Sequence, residues 1–105
     1  MPSEFRTKNL AIEFARLCLK LKVPFSLQDQ LHRAACSIPL NLSEGSARHT
    51  PKDRHKFYRT ALGSFREVET LLEILKITEN DLEVSRKQLA GSLVNLCKAT
   101  QQPAK

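Results

Sequence analysis

Basic side chains at helical spacing are the residues of this chain whose chemistry follows most directly from their type. The candidate ligands for an anion are Arg48, Lys52, His55, Lys56, Arg59 and Arg66. Steps of four, three and seven residues place Lys52, Lys56, Arg59 and Arg66 along one edge of a helix, and we call these four residues the basic stripe. Phosphate groups relieve the repulsion between neighbouring cations. We therefore predict that the stripe, flanked by Arg48 and His55, binds nucleic acid, with RNA expected before DNA.

Two other partners would suit the same charges. An acidic protein surface relieves the repulsion equally well, so a protein-interaction scaffold is the second hypothesis. A solvated surface without a partner is the third, because runs of charge are common on protein surfaces. Binding that weakens steeply as salt rises would favour the nucleic acid.

Arg48 and His55 also have the loose spacing of the Arg and His in HEPN-type ribonucleases, which are helical as well. In such a site the guanidinium would hold the scissile phosphate and the imidazole would transfer a proton without a metal. However, Thr50 and Pro51 place a helix start between the two residues. A ribonuclease is therefore the less favoured alternative, and we predict a protein that is not an enzyme.

No pattern in the sequence predicts a metal, a cofactor or a small-molecule substrate. Cys18, Cys36 and Cys97 are far apart and lie among apolar neighbours, without the close Cys and His spacing of a zinc site. We expect reduced thiols in the core. A glycine-rich phosphate loop and a nucleophile elbow are also missing from the sequence.

The bulk numbers predict one domain over residues 1–105 and a location in the cytoplasm. The 105 residues carry a formal net charge of +6, and the positive excess is concentrated at residues 48–59. No apolar run approaches the roughly 18–20 residues of a membrane span, and the first residues lead into a charged amphipathic segment, so we expect no membrane association.

The elements that must position these residues are helices. Apolar residues recur at steps of three and four, and strand-like alternation is absent from the sequence. Start signals at Ser3, Ser26, Thr50 and Asn80 divide the chain into helices near 4–22, 27–47, 51–77 and 80–99, followed by a polar tail at 101–105. Connections this short predict an all-α, antiparallel up-down four-helix bundle.

The first helix carries apolar residues on two faces. One face, with Leu10, Phe14, Leu17 and Leu21, suits the core of a bundle. The other face carries Phe5, Ile12 and Leu19 at intervals of seven residues, and we call it the α1 seam. A wide buried face within one subunit would explain it, but we favour contact with another copy, hence a homo-oligomer.

The second helix contains a segment of small and polar residues that needs a structural explanation. Pro39 interrupts its hydrogen bonding and is expected to kink the helix without ending it. Ser37 or Asn41 could cover the freed backbone groups or bond across to an acid on the third helix, Glu67 or Glu69. The structural motif that we predict comprises Arg33, Ser37, Pro39, Asn41, Glu44, Gly45, Gly63 and Ser64.

Two contacts are expected within this motif. Arg33 would pair with Glu44 or with one of the acids on the third helix, which fixes helix register. Gly63 and Ser64 would allow a close approach by Gly45 or by a neighbouring helix, since glycine inside a helix otherwise costs roughly 1 kcal/mol.

Four segments carry a family resemblance. They are Gln30-Leu31-x-Arg33-Ala34-Ala35-x-Ser37-Ile38-Pro39-x-Asn41-Leu42-x-Glu44-Gly45-x-x-Arg48, Phe57-Tyr58, Ala61-Leu62-Gly63-Ser64 and Glu67-x-Glu69-x-x-Leu72. Together they resemble the four-helix-bundle proteins encoded in 23S rRNA intervening sequences, over nearly the whole chain. The resemblance implies a small up-down bundle that forms a homopentamer, has no established enzymatic activity and is suspected to bind nucleic acid.

A more distant similarity links this pattern to the accessory variability proteins of diversity-generating retroelements. Those pentameric bundles bind nucleic acid beside a reverse transcriptase, so a reverse-transcriptase accessory role is a further alternative. This chain lacks Trp and has no Gly-Gly-Trp segment near its end. That departure disfavours a reverse transcriptase as the partner.

Overall fold

The computed structural model describes residues 3–103, which form four helices and no strand. They are α1 (Glu4–Leu19), α2 (Phe25–Ser46), α3 (Pro51–Leu75) and α4 (Asn80–Thr100). Each helix packs against the next one along the chain, and α4 closes the arrangement against α1. The four helices therefore form the corners of a bundle that measures 44 × 24 × 24 Å.

The predicted helix starts are only partly confirmed. The Ser3 and Thr50 side chains each accept a hydrogen bond of 3.1 Å from the backbone amide three residues later, as N-caps do. The predicted caps at Ser26 and Asn80 are wrong, because these residues lie inside the first turns of α2 and α4. The residues that cap those two helices make no side-chain bond.

Both faces of α1 have the character that the sequence indicated. Phe14 is buried, and Leu10, Leu17 and Leu21 pack against the core from its edge. On the α1 seam, Phe5 is 66% exposed, Leu19 is 43% exposed and Ile12 is half-buried. The seam is therefore apolar surface that a single chain leaves accessible.

Hydroxyl pairs connect neighbouring helices at the edge of the core. Thr7 on α1 lies 2.6 Å from Ser92 on α4, and Ser37 on α2 lies 2.8 Å from Ser64 on α3. Each pair satisfies two polar groups at a helix contact, so a shift in register would leave them without partners. Ser64 is thus part of the helix contact, as predicted.

The polar groups around Pro39 are satisfied within α2. Asn41 donates a hydrogen bond of 2.8 Å to the carbonyl oxygen of Ser37 and lies 2.9 Å from its hydroxyl. The predicted bonds from these side chains to Glu67 or Glu69 are wrong. Pro39 lies inside α2, which continues to Ser46.

Two further contacts predicted for the motif are also wrong. Glu44 binds Arg48 at 3.2 Å, and Arg33 is exposed without an ion pair among residues 3–103. Gly63 faces open space, since no atom of the described chain lies within 4 Å of the Cβ that an alanine would add. The tight glycine is Gly45, where the same Cβ would lie 2.6 Å from Cε1 of Tyr58.

The cysteines are free thiols. Cys18 and Cys97 are buried and Cys36 is half-buried. Burial raises the pKa of Cys18 to about 12, and neighbouring Cys36 adds to the rise. Within residues 3–103, no three His, Cys, Asp or Glu side chains converge as a metal site would require, and no helix is long and apolar enough to cross a membrane.

Candidate nucleic-acid interface

Helix α3 separates its cations from its core face. It begins with the Thr50 cap and Pro51, whose fixed φ suits a first turn, and it runs for 25 residues. One face buries Tyr58, Ala61 and Phe65 in the bundle. The basic stripe lies on the opposite face, where all four of its side chains are exposed. From Lys52 to Arg66 the stripe spans about 21 Å of helix axis, at about 1.5 Å per residue.

The four cations of the stripe differ in how far their charge is neutralised. Arg66 binds Glu69 at 2.8 Å, and Lys56 lies 4.0 Å from Asp53. Lys52 and Arg59 make no ion pair in the described part of the chain. These two exposed charges can therefore bind an anion without first losing a partner.

Arg48 and His55 lie away from the stripe, on opposite flanks of α3. The Arg48 guanidinium lies on the α2 side, 3.2 Å from Glu44 and 4.7 Å from the ring centroid of Phe57. His55 lies on the α4 side, where Nδ1 is 3.0 Å from Oγ1 of Thr100. Within one subunit the fold does not bring Arg48 and His55 together as one ribonuclease site would need.

The hydrogen bonds of Thr100 assign the tautomer of neutral His55. The Thr100 hydroxyl is buried and donates its one proton to the carbonyl oxygen of Leu96 at 3.1 Å. It must therefore accept from His55, so the proton of the imidazole lies on Nδ1. Nε2 is left as a hydrogen-bond acceptor.

Two cations on α4 extend the charged surface, and the sequence analysis did not assign them to the site. Lys87 and Lys98 are both exposed, and their separation of eleven residues places them on one side of α4. Because α3 and α4 pack side by side, this side adjoins the stripe. The spacing could have revealed their common face, but only the packing of the helices shows that it adjoins α3.

A groove of about 340 Å³ lies between α3 and α4. Its lining comprises His55, Arg59, Leu62, Val94, Cys97, Lys98 and Gln101. The groove thus combines apolar side chains with a cation from each helix. It also brings His55 beside the stripe residue Arg59.

A second cavity of about 410 Å³ lies near the turn between α3 and α4, but ion pairs occupy its charged groups. Arg86 lies 2.7 Å from Glu69 and 2.8 Å from Glu83. Hydrogen bonds to Glu83 and Glu69 raise the pKa of Arg86. The carboxylates are therefore neutralised by the protein itself and offer no open site for a cation.

Tyr58 contributes nothing to the surface, although its position beside the stripe suggested an aromatic platform. Its side chain is fully buried against Gly45. Stacking of a nucleobase on an aromatic ring needs an accessible face. The interface therefore relies on cations and aliphatic side chains.

Comparison with known proteins identifies a family over nearly the whole chain. The family model described as 23S rRNA-intervening sequence protein matches residues 5–102. No curated protein gives a significant match. The matched region includes all four helices except the first residue of α1.

Proposed function

This chain belongs to the 23S rRNA-intervening sequence protein family, and from that premise we propose that it binds nucleic acid, RNA before DNA, without acting as an enzyme. The observation that carries the proposal is the pair of exposed cations Lys52 and Arg59, which lack ion-pair partners among residues 3–103. The surface of contact is the basic stripe together with Lys87 and Lys98.

The geometry suits a phosphate backbone better than a single small anion. The stripe is elongated, and the cations of α4 widen it to one side. An extended row of cations can neutralise several successive phosphates and release their counterions. Sequence-independent binding of this kind needs no base contact.

Charge reversal at the two unpaired cations tests the proposal. We expect Lys52→Glu with Arg59→Glu to weaken binding of a labelled RNA by about 100-fold or more at low salt, and to flatten the dependence of log Kd on log salt. Fluorescence anisotropy over a salt series measures both quantities. Circular dichroism should show unchanged helix content, because both side chains point away from the core.

A matched control separates position from net charge. Lys22→Glu with Arg33→Glu changes the net charge by the same amount at exposed positions away from α3 and α4. We expect this control to weaken binding by less than about threefold at moderate salt, where distant charges are screened. Absent or salt-independent binding of RNA and DNA by the unaltered protein would reject the proposal and favour an acidic protein partner.

We also propose that the chain assembles with copies of itself through the α1 seam. The seam leaves Phe5 and Leu19 accessible, and Leu40 on the neighbouring helix α2 is 65% exposed. Apolar surface of this kind is stabilised by burial against a partner. The family resemblance implies five copies, and a symmetric assembly would repeat the basic stripe around its axis.

A further inference from the structure

The groove between α3 and α4 has features that binding to a phosphate backbone alone does not require. Leu62 and Val94 are half-buried, and Cys97 between them is almost fully buried. A row of cations would bind phosphates equally well on a flat polar surface. The depression and its apolar side chains therefore need a ligand group that is itself apolar on one face.

The cations of the groove come from both of its sides. Arg59 lies on α3 and Lys98 on α4, and both side chains are exposed. Neither makes an ion pair in the part of the chain that the structure describes. A negatively charged group at the mouth of the groove would meet both of them. Arg59 in addition offers a planar guanidinium on which a base can stack.

Polar groups at one end of the groove can contact the edge of a planar ring. His55 offers Nε2 as an acceptor, because its Nδ1 proton is directed to Thr100. Gln101 is exposed at the same end and carries both a donor and an acceptor. A nucleobase edge presents donors and acceptors of the same kinds.

The volume selects the size of the ligand. About 340 Å³ lies at the lower end of the range of roughly 300–1,000 Å³ that is usual for small-ligand sites. A groove of this size admits one base with its phosphate and excludes the width of a duplex. Bases in a duplex are stacked and paired, whereas those of a single strand can be splayed out into a pocket.

We infer that this groove receives one unstacked nucleotide of a single-stranded RNA, with the base against Leu62 and Val94 and the phosphate between Arg59 and Lys98. The inference rests on the proposed function and makes it more specific, since it names the class of nucleic acid. The stripe then binds the backbone on either side of that nucleotide. A preference for single strands over duplexes follows.

The test compares a labelled single-stranded RNA of ten nucleotides with the blunt duplex of the same sequence. We expect the single strand to bind at least about fivefold more tightly. Val94→Trp should fill the groove without changing any charge and weaken single-strand binding by about tenfold, in the range expected for one base contact. Duplex binding and the salt slope should change little. Val84→Trp, at an exposed position of α4 outside the groove, is the matched control.

Photo-crosslinking of the unaltered protein gives an answer that does not depend on how a variant folds. A decamer with a single 4-thiouridine, moved along the strand, should form its strongest adduct with a peptide that contains Leu62, Val94 or Gln101. Mass spectrometry locates the adduct. Crosslinks confined to other surfaces would overturn the inference.

The outcomes distinguish this inference from the proposed function. Equal affinity for single strand and duplex, or an unchanged single-strand affinity in a folded Val94→Trp protein, overturns the nucleotide site and leaves backbone binding by the stripe intact. Absence of binding to either RNA rejects both. A single-strand preference that Val94→Trp removes and Val84→Trp retains supports the site.

Discussion

Tyr58 shows how strongly a single position can depart from what its neighbours in sequence suggest. It lies between exposed cations of α3, yet it is the largest side chain that the bundle buries completely. Its hydroxyl makes no hydrogen bond with the described residues. Burial raises the pKa of Tyr58 to about 12, an effect that Glu4 reinforces and Ser46 and Arg54 oppose.

This shift predicts the titration of Tyr58. Because the folded protein holds the phenol proton more tightly than the unfolded chain, the contribution of Tyr58 to stability is complete below about pH 10. It is lost as pH rises from about 10 towards 12. The chain has one Tyr and no Trp, so absorbance at 295 nm reports this residue alone. We expect a midpoint near 12 in buffer and near 10 in concentrated guanidinium.

Tyr58→Phe is the control for this titration, since it should abolish the absorbance change. Far-UV circular dichroism at each pH separates local ionisation from unfolding. A midpoint near 10 while the helices remain intact would contradict the burial of Tyr58.

The elements could be predicted from the sequence better than their contacts. Helical periodicity and the caps at Ser3 and Thr50 give the four helices, with bounds that differ by at most three residues from those observed. The errors occur where a helix ends without a strong signal. Thus α1 ends at Leu19, whereas its apolar pattern continues to Leu21.

The two glycines of the motif illustrate what helical spacing contains and what it lacks. Gly45 follows Ile38 and Leu42 at core spacing, so its burial in α2 could be read from the sequence. Gly63 falls at the spacing of Arg59 and Arg66, on the exposed face. Their phases on the two helices exclude the predicted mutual approach. That Tyr58 is the neighbour of Gly45 requires the packing of α2 on α3.

Alanine substitutions at these glycines should have opposite effects on stability. Gly63→Ala meets no atom within 4 Å and should raise the free energy of unfolding by about 0.5–1 kcal/mol. Gly45→Ala would place a Cβ 2.6 Å from the buried Tyr58 ring and should lower it by about 1–2 kcal/mol after the gain in helix propensity. Urea unfolding followed by circular dichroism measures both.

Gly91→Ala provides a second open position, and it should behave like Gly63→Ala. Loss of stability in Gly63→Ala would show that a partner covers this face in solution. Equal effects at Gly45 and Gly63 would contradict the packing of α2 against Tyr58.

At the scale of the whole molecule, two different surfaces lie on different helix pairs. The cations of the stripe, Lys87 and Lys98 lie on α3 and α4, whereas the α1 seam and Leu40 lie on α1 and α2. The sequence predicts the stripe and the seam, because each follows the period of one helix. It cannot predict the groove, because that depends on which sides of α3 and α4 meet. A surface built from two helices requires the packing.

The division of surfaces predicts that self-association can be removed without loss of the basic surface. Phe5→Glu with Leu19→Glu places charges on the α1 seam, where a partner copy would have to bury them at high cost. We expect the mass from multi-angle light scattering to fall to that of a single 11.9 kDa chain, with helix content retained because neither side chain is in the core. Ile74→Glu, at an exposed apolar position of α3, should leave the assembly unchanged. RNA should still bind the monomeric variant, but more weakly, because fewer copies of the stripe act on one strand. An unaltered protein that is already monomeric would reject the seam as an interface. An assembly that survives both charges would place the interface on another face.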